Sequence, residues 1–432
     1  MSLNVHLYRF DLFSLISYLL LLMISLVMVH SVTHDKVFSP DGLSYAPLFY
    51  KHLFSILLAL VVGISIYLLR INFLINYSII AYGIVIVMLV GLFVFGQSIA
   101  GSQSWYRLGS IGLQPSELAK LTTVLMVAKI FHNSHRKFKR KNVIWVLGVI
   151  ALPMFLILLQ PDFGTAITFL FLSLLLYGEG LGLVSYLSIF YVGILFMMTL
   201  VFGPLRSTLI ILLLAYLTYF ILRRYNIQWS RTLSILITAC SLGIILISSF
   251  AYQNVMESHH RNRLEVFLGL KKDNQNIGYH LHQSKMAIAD GRLLGTGLFK
   301  GPRTLGNFIP EQHNDYIFTA VAEQWGFLGS LLLIGLYTLL VYRVITRASL
   351  HRSRFEKIFS YGFACFLLSH FFINIGMNIG LVPTIGIPLP YMSYGGSNLL
   401  TFTLFLAIYL SMDYRRLSVK SSSTPPNLFR VI

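Results

Sequence analysis

The sequence predicts an all-α polytopic membrane protein, and three observations carry that prediction. Of its 432 residues, 56% are hydrophobic and only 11% are charged, less than half the roughly 25% charged fraction of a water-soluble domain. The apolar residues collect into long runs that approach the roughly 20 residues a bilayer core asks of a helix. The loops between those runs differ sharply in basic content. A soluble enzyme, a disordered chain and a secreted disulfide scaffold are all excluded. Cys240 and Cys365 both lie inside apolar runs and read as packing residues rather than a disulfide or a metal site.

The runs cover 12–30, 53–69, 73–96, 117–132, 143–159, 163–178, 183–202, 207–222, 232–251, 316–342, 358–381 and 398–412, which makes about twelve transmembrane helices. The first is long and no small-residue cleavage site follows it, so it is expected to stay as a span. With the N-terminus inside, 19 of the 33 basic residues fall on inner segments, among them Arg70, the 136–141 cluster, Arg223, Arg224, Arg231, Arg343, Arg347, Arg415 and Arg416. The short outer loops hold Lys36, Lys51, Arg107 and Arg206. The positive-inside rule then places both termini in the cytoplasm. The net charge of +18 is an orientation signal and not the footprint of a nucleic acid.

One outer segment, 252–315, is long, polar and itself basic; long loops cross the membrane largely regardless of charge. The expected organisation is a multi-spanning membrane domain over 1–414, containing this large extracytoplasmic loop, and a disordered cytoplasmic tail over 415–432 with its Ser421–Pro426 run.

Ionisable groups inside spans are costly and are functional candidates by default. Glu117 and Lys120 stand at i and i+3 on one helix face, just after a Gln114-Pro115-Ser116 helix start. Their bland reading is a self-neutralising pair at a helix end. Lys129, near the other end of that helix, can snorkel. Asp162 reads equally as the N-cap of the next helix and as a member of a polar cavity shared with Glu117. Glu323, Asn374 and Asn378 are further polar groups in spans, the two asparagines reading as interhelical hydrogen bonders. Residues 383–397 form the densest Pro/Gly run in the chain, with Pro388, Pro390, Ser393, Gly395 and Gly396. It cannot be a regular helix, and non-helical backbone at membrane depth must be buried in protein or line a cavity. Soluble-enzyme signatures such as a P-loop or a metal-spaced His/Cys cluster are missing from the sequence, and His280 and His282 read as surface or packing residues. Two functions fit equally at this point: a transporter with a midplane site, or an enzyme acting on a lipid-linked anionic substrate from the outer leaflet.

The ordered motifs narrow this choice. Gly101-Ser102-Gln103-Ser104-Trp105, Gln114-Pro115-Ser116-Glu117-Leu118-Ala119-Lys120, Gln160-Pro161-Asp162-Phe163-Gly164-Thr165, Gly278-Tyr279-His280, Pro310-Glu311-Gln312-His313-Asn314-Asp315 and the Pro383–Gly396 run resemble the SEDS family, which includes RodA and FtsW. Gly386-Ile387-Pro388-Leu389-Pro390 is most similar to the RodA branch. The resemblance implies the SEDS fold and a peptidoglycan glycosyltransferase that polymerises lipid II at the outer face of the bacterial cytoplasmic membrane during cell elongation. It also implies a class B penicillin-binding protein and elongation-complex membrane proteins as partners. The alternatives are the division-specific FtsW-type polymerase, a lipid II flippase, and a catalytically silent scaffold. The charged residues gather in the outer half rather than along a path across the bilayer, which favours surface chemistry over transport.

The family's essential acid sits just upstream of its Gly-Tyr motif, and the matching residue here is Asp273, in Asp273-Asn274-Gln275-Asn276-Ile277-Gly278-Tyr279. The family's usual Pro and first Gly are replaced by Asn274 and Asn276. A carboxylate there would serve as base for the acceptor hydroxyl. Substrate-binding candidates are Trp105, Glu117, Lys120, Asp162, Arg261, Arg263, Lys285 and Glu311, the cations offsetting charge on the departing diphosphate. No cofactor is required, although a divalent cation (Mg2+ or Mn2+) fits that role. The family usually has ten spans. Three apolar segments over 183–251 stand here where it usually has one, which reads as an inserted helical pair.

Overall fold

The computed structural model describes residues 11–34, 46–99, 102–108, 111–133, 140–178, 183–224, 230–255, 258–268, 270, 277–306, 308–309 and 312–422. The chain forms two compact units, one of Met1–Leu175 with His280–Ile432 and one of Leu176–Tyr279.

Each predicted apolar run is helical. In the first unit these are α1 (Leu12–His34), α2 (Ala46–Tyr67), α3 (Ile71–Phe95), α4 (Pro115–Asn133), α5 (Arg140–Leu159) and α6 (Phe163–Leu170), continued by α7 (Leu172–Gly178), in which the first unit's segment ends at Leu175. The second unit has α8 (Leu183–Arg224), α9 (Arg231–Phe250), a π-helical turn over Ala251–Val255 and α10 (Ser258–Phe267). After α11 (Ile277–Asp290) and the short α12 (Pro302–Leu305) come α13 (Ile317–Ala348), α14 (Arg354–Ile379) and α15 (Gly396–Ser422). Among the described residues, eight helices are long and apolar enough to cross a membrane unaided. The shortfall from twelve has local causes: the helix over Phe163–Leu176 is too short, α4 and α15 are too polar, and α8 merges two runs.

Within α8, Gly203 takes a left-handed φ of 78° and Pro204 follows it. The chain folds back there. Leu195 and Ile211, equally far from Gly203 on either side, share one buried cluster with Ile245 of α9, and the Ser207 hydroxyl donates to the Met198 carbonyl at 3.0 Å.

A small antiparallel sheet, β1 (Gln97–Ile99), β2 (Ser102–Leu108) and β3 (Ile111–Leu113), leads into α4. Its strands are too short to register as alternating runs. α15 continues to Ser422, with no glycine or proline to interrupt 415–422, and the rest of the expected tail lies outside the described residues.

In the first unit α4 is the central helix, packing on α3, α5, α14 and α15; α15 packs on α2, and α13 on α1 and α14. Thirteen of its residues are buried, Glu117 and Lys120 among them. A helix enclosed on so many sides carries its polar residues inward, toward other helices.

Candidate active site

The N-terminal turn of α4 begins with Pro115, whose missing N–H is harmless at that position. One turn on, Lys120 donates to Glu117 Oε1 at 2.7 Å, with Lys120 fully buried and the Glu117 side chain 2% exposed. The other Glu117 oxygen accepts from Asn398 Nδ2 of α15 at 3.0 Å. Lys120 Nζ also meets His370 Nε2 of α14 at 2.7 Å, and His370 Nδ1 meets the Pro388 carbonyl at 2.9 Å. A carbonyl only accepts, so Nδ1 carries the proton and Nε2 accepts from Lys120. One chain of hydrogen bonds therefore runs from α15 through Glu117, Lys120 and His370 to the Pro/Gly loop. The Phe402 ring closes the pocket, 5.9 Å from Lys120 Nζ.

Asp162 joins this region from α6. Its Oδ1 accepts from the Thr165 amide at 3.1 Å and its Oδ2 from the Thr165 hydroxyl at 2.9 Å, so the cap forms. Oδ2 also accepts from Gln114 Nε2 at 3.1 Å, at the start of α4. The Gln114 amide in turn donates to Ser397 Oγ at 3.1 Å. Both roles considered for Asp162, cap and neighbour of the Glu117 segment, are thus present together.

The Pro/Gly run is non-helical up to Gly395; its centre over 389–393 is buried, while Gly386 and Gly396 are exposed. Its carbonyls accept from Asn374 at Ile387 (2.8 Å), from His370 at Pro388, from Tyr337 at Pro390 and from Ser25 at Met392 (2.7 Å). Ser393 Oγ accepts the Leu389 amide at 2.7 Å, and the Tyr394 amide donates to His313 O at 2.9 Å. Gly395 and Gly396 lead into α15. Gly164 lets α6 approach the loop, since a Cβ there would sit 3.0 Å from the Ile385 carbonyl. Beside the loop, Asn374 and Asn378 both donate to the Asp315 carbonyl, at 2.9 and 3.1 Å. Thr319 donates to Asn378 Oδ1 at 2.6 Å. Glu323 instead caps α12, accepting the Arg303 and Thr304 amides at 2.8 and 2.9 Å.

The remaining candidates lie on other elements. Trp105 is half-buried on β2, its ring against Gly112 of β3. Lys285 is exposed on α11, beside Gly380. Arg261 and Arg263 lie half-buried on α10 in the second unit, where Tyr252 donates to Glu265 at 2.5 Å. Asp273 and Glu311 lie outside the described residues. Among the described residues no group of three or more His, Cys, Asp or Glu is placed to hold a metal ion. The carboxylates of Glu117 and Asp162 are fully engaged by Lys120, Asn398, Thr165 and Gln114.

Sequence reasoning missed His370 and Asn398. His370 had a signal: it precedes Asn374 and Asn378 at four-residue spacing, so all three share one helix face. Asn398 had none, since its partner lies 281 residues away.

A buried Lys–Glu pair wired to a Pro/Gly loop, within helices of membrane length, defines a multi-pass membrane protein whose enclosed polar chemistry gathers where α4, α6 and α15 begin. The profile of the FtsW/RodA/SpoVE family, described as cell cycle protein, matches residues 12–216 and 184–417, and the chain belongs to that family. It is 30% identical to the peptidoglycan glycosyltransferase MrdB of Escherichia coli K12 over 79% of each chain. It is also 30% identical to the peptidoglycan glycosyltransferase RodA of Treponema pallidum, over 77% of this chain and 82% of that one. Among solved structures it resembles a chain from a peptidoglycan synthase complex that coordinates polymerisation and crosslinking. That match has a TM-score of 0.67 and 25% identity, and covers 94% of this chain and 98% of the other. Thermus thermophilus RodA shares the fold, with a TM-score of 0.58 and 23% identity over 94% of this chain and 97% of that one.

Proposed function

We propose that this protein is a peptidoglycan glycosyltransferase that polymerises lipid II at the outer face of the bacterial cytoplasmic membrane, both termini inside, in the elongation role of the RodA branch. The relatives named for that activity support the reaction. The single observation that carries the site is the enclosed chain Asn398–Glu117–Lys120–His370–Pro388, which fixes a non-helical loop against a buried cation.

In this reading Asp273 takes the proton from the acceptor 4-hydroxyl, whose oxygen attacks the donor anomeric carbon. Undecaprenyl diphosphate leaves with the bonding electrons, and one displacement inverts the anomeric centre. Lys120 is enclosed, so it acts as a positioning residue that holds His370 and the loop. Contacts to the diphosphate fall to Arg261, Arg263 and Lys285. A divalent cation would share that charge. Glu117, Asp162 and Trp105 shape the sugar and lipid site. A class B penicillin-binding protein supplies crosslinking, in keeping with the solved synthase complex, beside other elongation-complex membrane proteins.

The test is glycan synthesis from lipid II by the purified protein with its transpeptidase partner, comparing wild type with Asp273→Ala. Polymer from wild type and none from a folded variant is the expected result. Equal polymer from both removes Asp273 and turns attention to Glu117 and Asp162. If wild type makes none with partner and divalent metal present, the enzyme reading fails and the flippase or scaffold takes its place.

A further inference from the structure

The second unit carries a feature that the proposed mechanism does not use. From 183 to 250 the chain has four arginines, Arg206, Arg223, Arg224 and Arg231, and no Asp or Glu. Two of them line one groove of about 790 Å³ between the second arm of α8 and α9. Arg223, in the last turn of α8, and Arg231, the first residue of α9, stand together at one end of it. The groove continues past Tyr219, Leu222, Ile235 and Thr238 to Leu242.

Three observations define an occupant. Neither arginine has a carboxylate partner among the described residues. Arg231 stands at a helix N-terminus, where the helix dipole disfavours a cation unless an anion lies beside it. From Arg231 to Leu242 the groove follows α9 for roughly 16 Å at the helical rise, about half of the roughly 30 Å hydrocarbon core. An apolar channel one leaflet deep, closed by two unpaired arginines, matches one molecule type in its surroundings.

We infer that this groove binds an anionic glycerophospholipid, its phosphate between Arg223 and Arg231 and one acyl chain laid along α9. A helix from another protein would fit the apolar wall, but it would have to bring a carboxylate to the same depth to satisfy the arginines. The anionic lipid is already present there, and basic sites between membrane helices are suited to such headgroups.

The experiment is native mass spectrometry of the full-length protein in detergent, titrated with phosphatidylglycerol or phosphatidylcholine of identical chains. Wild type is expected to retain phosphatidylglycerol in preference. The double variant Arg223→Gln/Arg231→Gln should lose that preference, with phosphatidylglycerol affinity falling about 30-fold. Ala239→Trp, which fills the groove and leaves both arginines, should weaken retention of both lipids. Both arginines and Ala239 are exposed, so the fold tolerates these changes; melting curves in the same detergent check it. Equal retention of the two lipids by wild type overturns the proposal. So does a preference that survives in the double variant, or a retained polypeptide in place of lipid.

Discussion

Two buried ionic clusters lie toward opposite ends of α15, at Asn398 and at Asp413, roughly 22 Å apart at the helical rise. The first is the Glu117–Lys120–His370 cluster. In the second, Asp11 at the start of α1 accepts from Arg343 at 2.8 Å, from Tyr409 at 2.7 Å and from Ser14 at 2.6 Å. Arg347 lies 3.6 Å from Asp11 and 3.1 Å from Asp413. The first is enclosed throughout and the second leaves Arg343 26% exposed; both join three helices, yet they are built differently. The Asp11 cluster uses arginine forks between carboxylates, a geometry that clamps helix ends in fixed register. The other uses one lysine, a compact point charge, and passes its hydrogen bonding through a histidine to a loop carbonyl. A clamp needs only to hold. A lysine–histidine link to irregular backbone sets the position of a loop.

The comparison predicts different responses to neutralisation, and the largest belongs to the loop-linked cluster. Lys120→Met leaves Glu117 as a buried carboxylate with no cation, which costs about 3–5 kcal/mol. Adding Glu117→Gln removes the stranded charge, so the double variant should recover most of its melting temperature. Glycan synthesis should not recover, staying on the order of a hundredfold below wild type, because His370 and the Pro388 carbonyl remain without their anchor. If stability and synthesis return together, this cluster is a clamp like the other and the distinction collapses.

Much of this was legible in sequence because it is local. Every apolar run became a helix, the break at Gly203–Pro204 fell between two predicted spans, and the i, i+3 spacing of Glu117 and Lys120 produced the pair. The 383–397 run could not be a regular helix and is none until Gly396 opens α15. What escaped was the pairing of distant faces. His370 and Asn398 meet the α4 pair across 250 and 281 residues, and periodicity says which residues share a face but not what that face meets. Arg343 and Arg347 show the same limit. Their charge entered the sequence reading only as a marker of one side of the membrane, whereas their role in gripping Asp11 depends on α1 and α13 packing together.

The Asp11 cluster should respond in stability alone. Asp11→Ala removes a charged acceptor of several donors and is expected to cost about 2–3 kcal/mol, with glycan synthesis per folded molecule unchanged. A pH series sharpens this. Burial pushes the Asp11 carboxyl up, but the hydrogen bonds from Ser14, Tyr409 and Arg343 and the charge of Arg347 outweigh it, so the carboxyl lies below its usual value. A carboxyl depressed in the folded state contributes stability above its unfolded pKa and loses it as pH falls through the folded value. Wild type should therefore lose thermal stability faster than Asp11→Asn below about pH 4. Parallel curves for the two proteins would mean that the clamp does not depend on the charge of Asp11.

The smallest effect is expected at Asp162, which stands between the two types because it both caps a helix and touches the Glu117 segment. Asparagine caps about as well as aspartate, whereas alanine at an N-cap costs about 1 kcal/mol. Asp162→Asn keeps an oxygen for the Thr165 amide and removes only the charge; Asp162→Ala removes both. If Asp162 is a cap alone, melting temperature should fall for alanine, hold for asparagine, and synthesis should follow stability. If its charge belongs to the loop-linked cluster, synthesis should fall in the asparagine variant at full stability. The second outcome is the expected one, because Gln114, which donates to Asp162, also begins the helix that carries Glu117 and Lys120 and is itself fixed to α15 through Ser397.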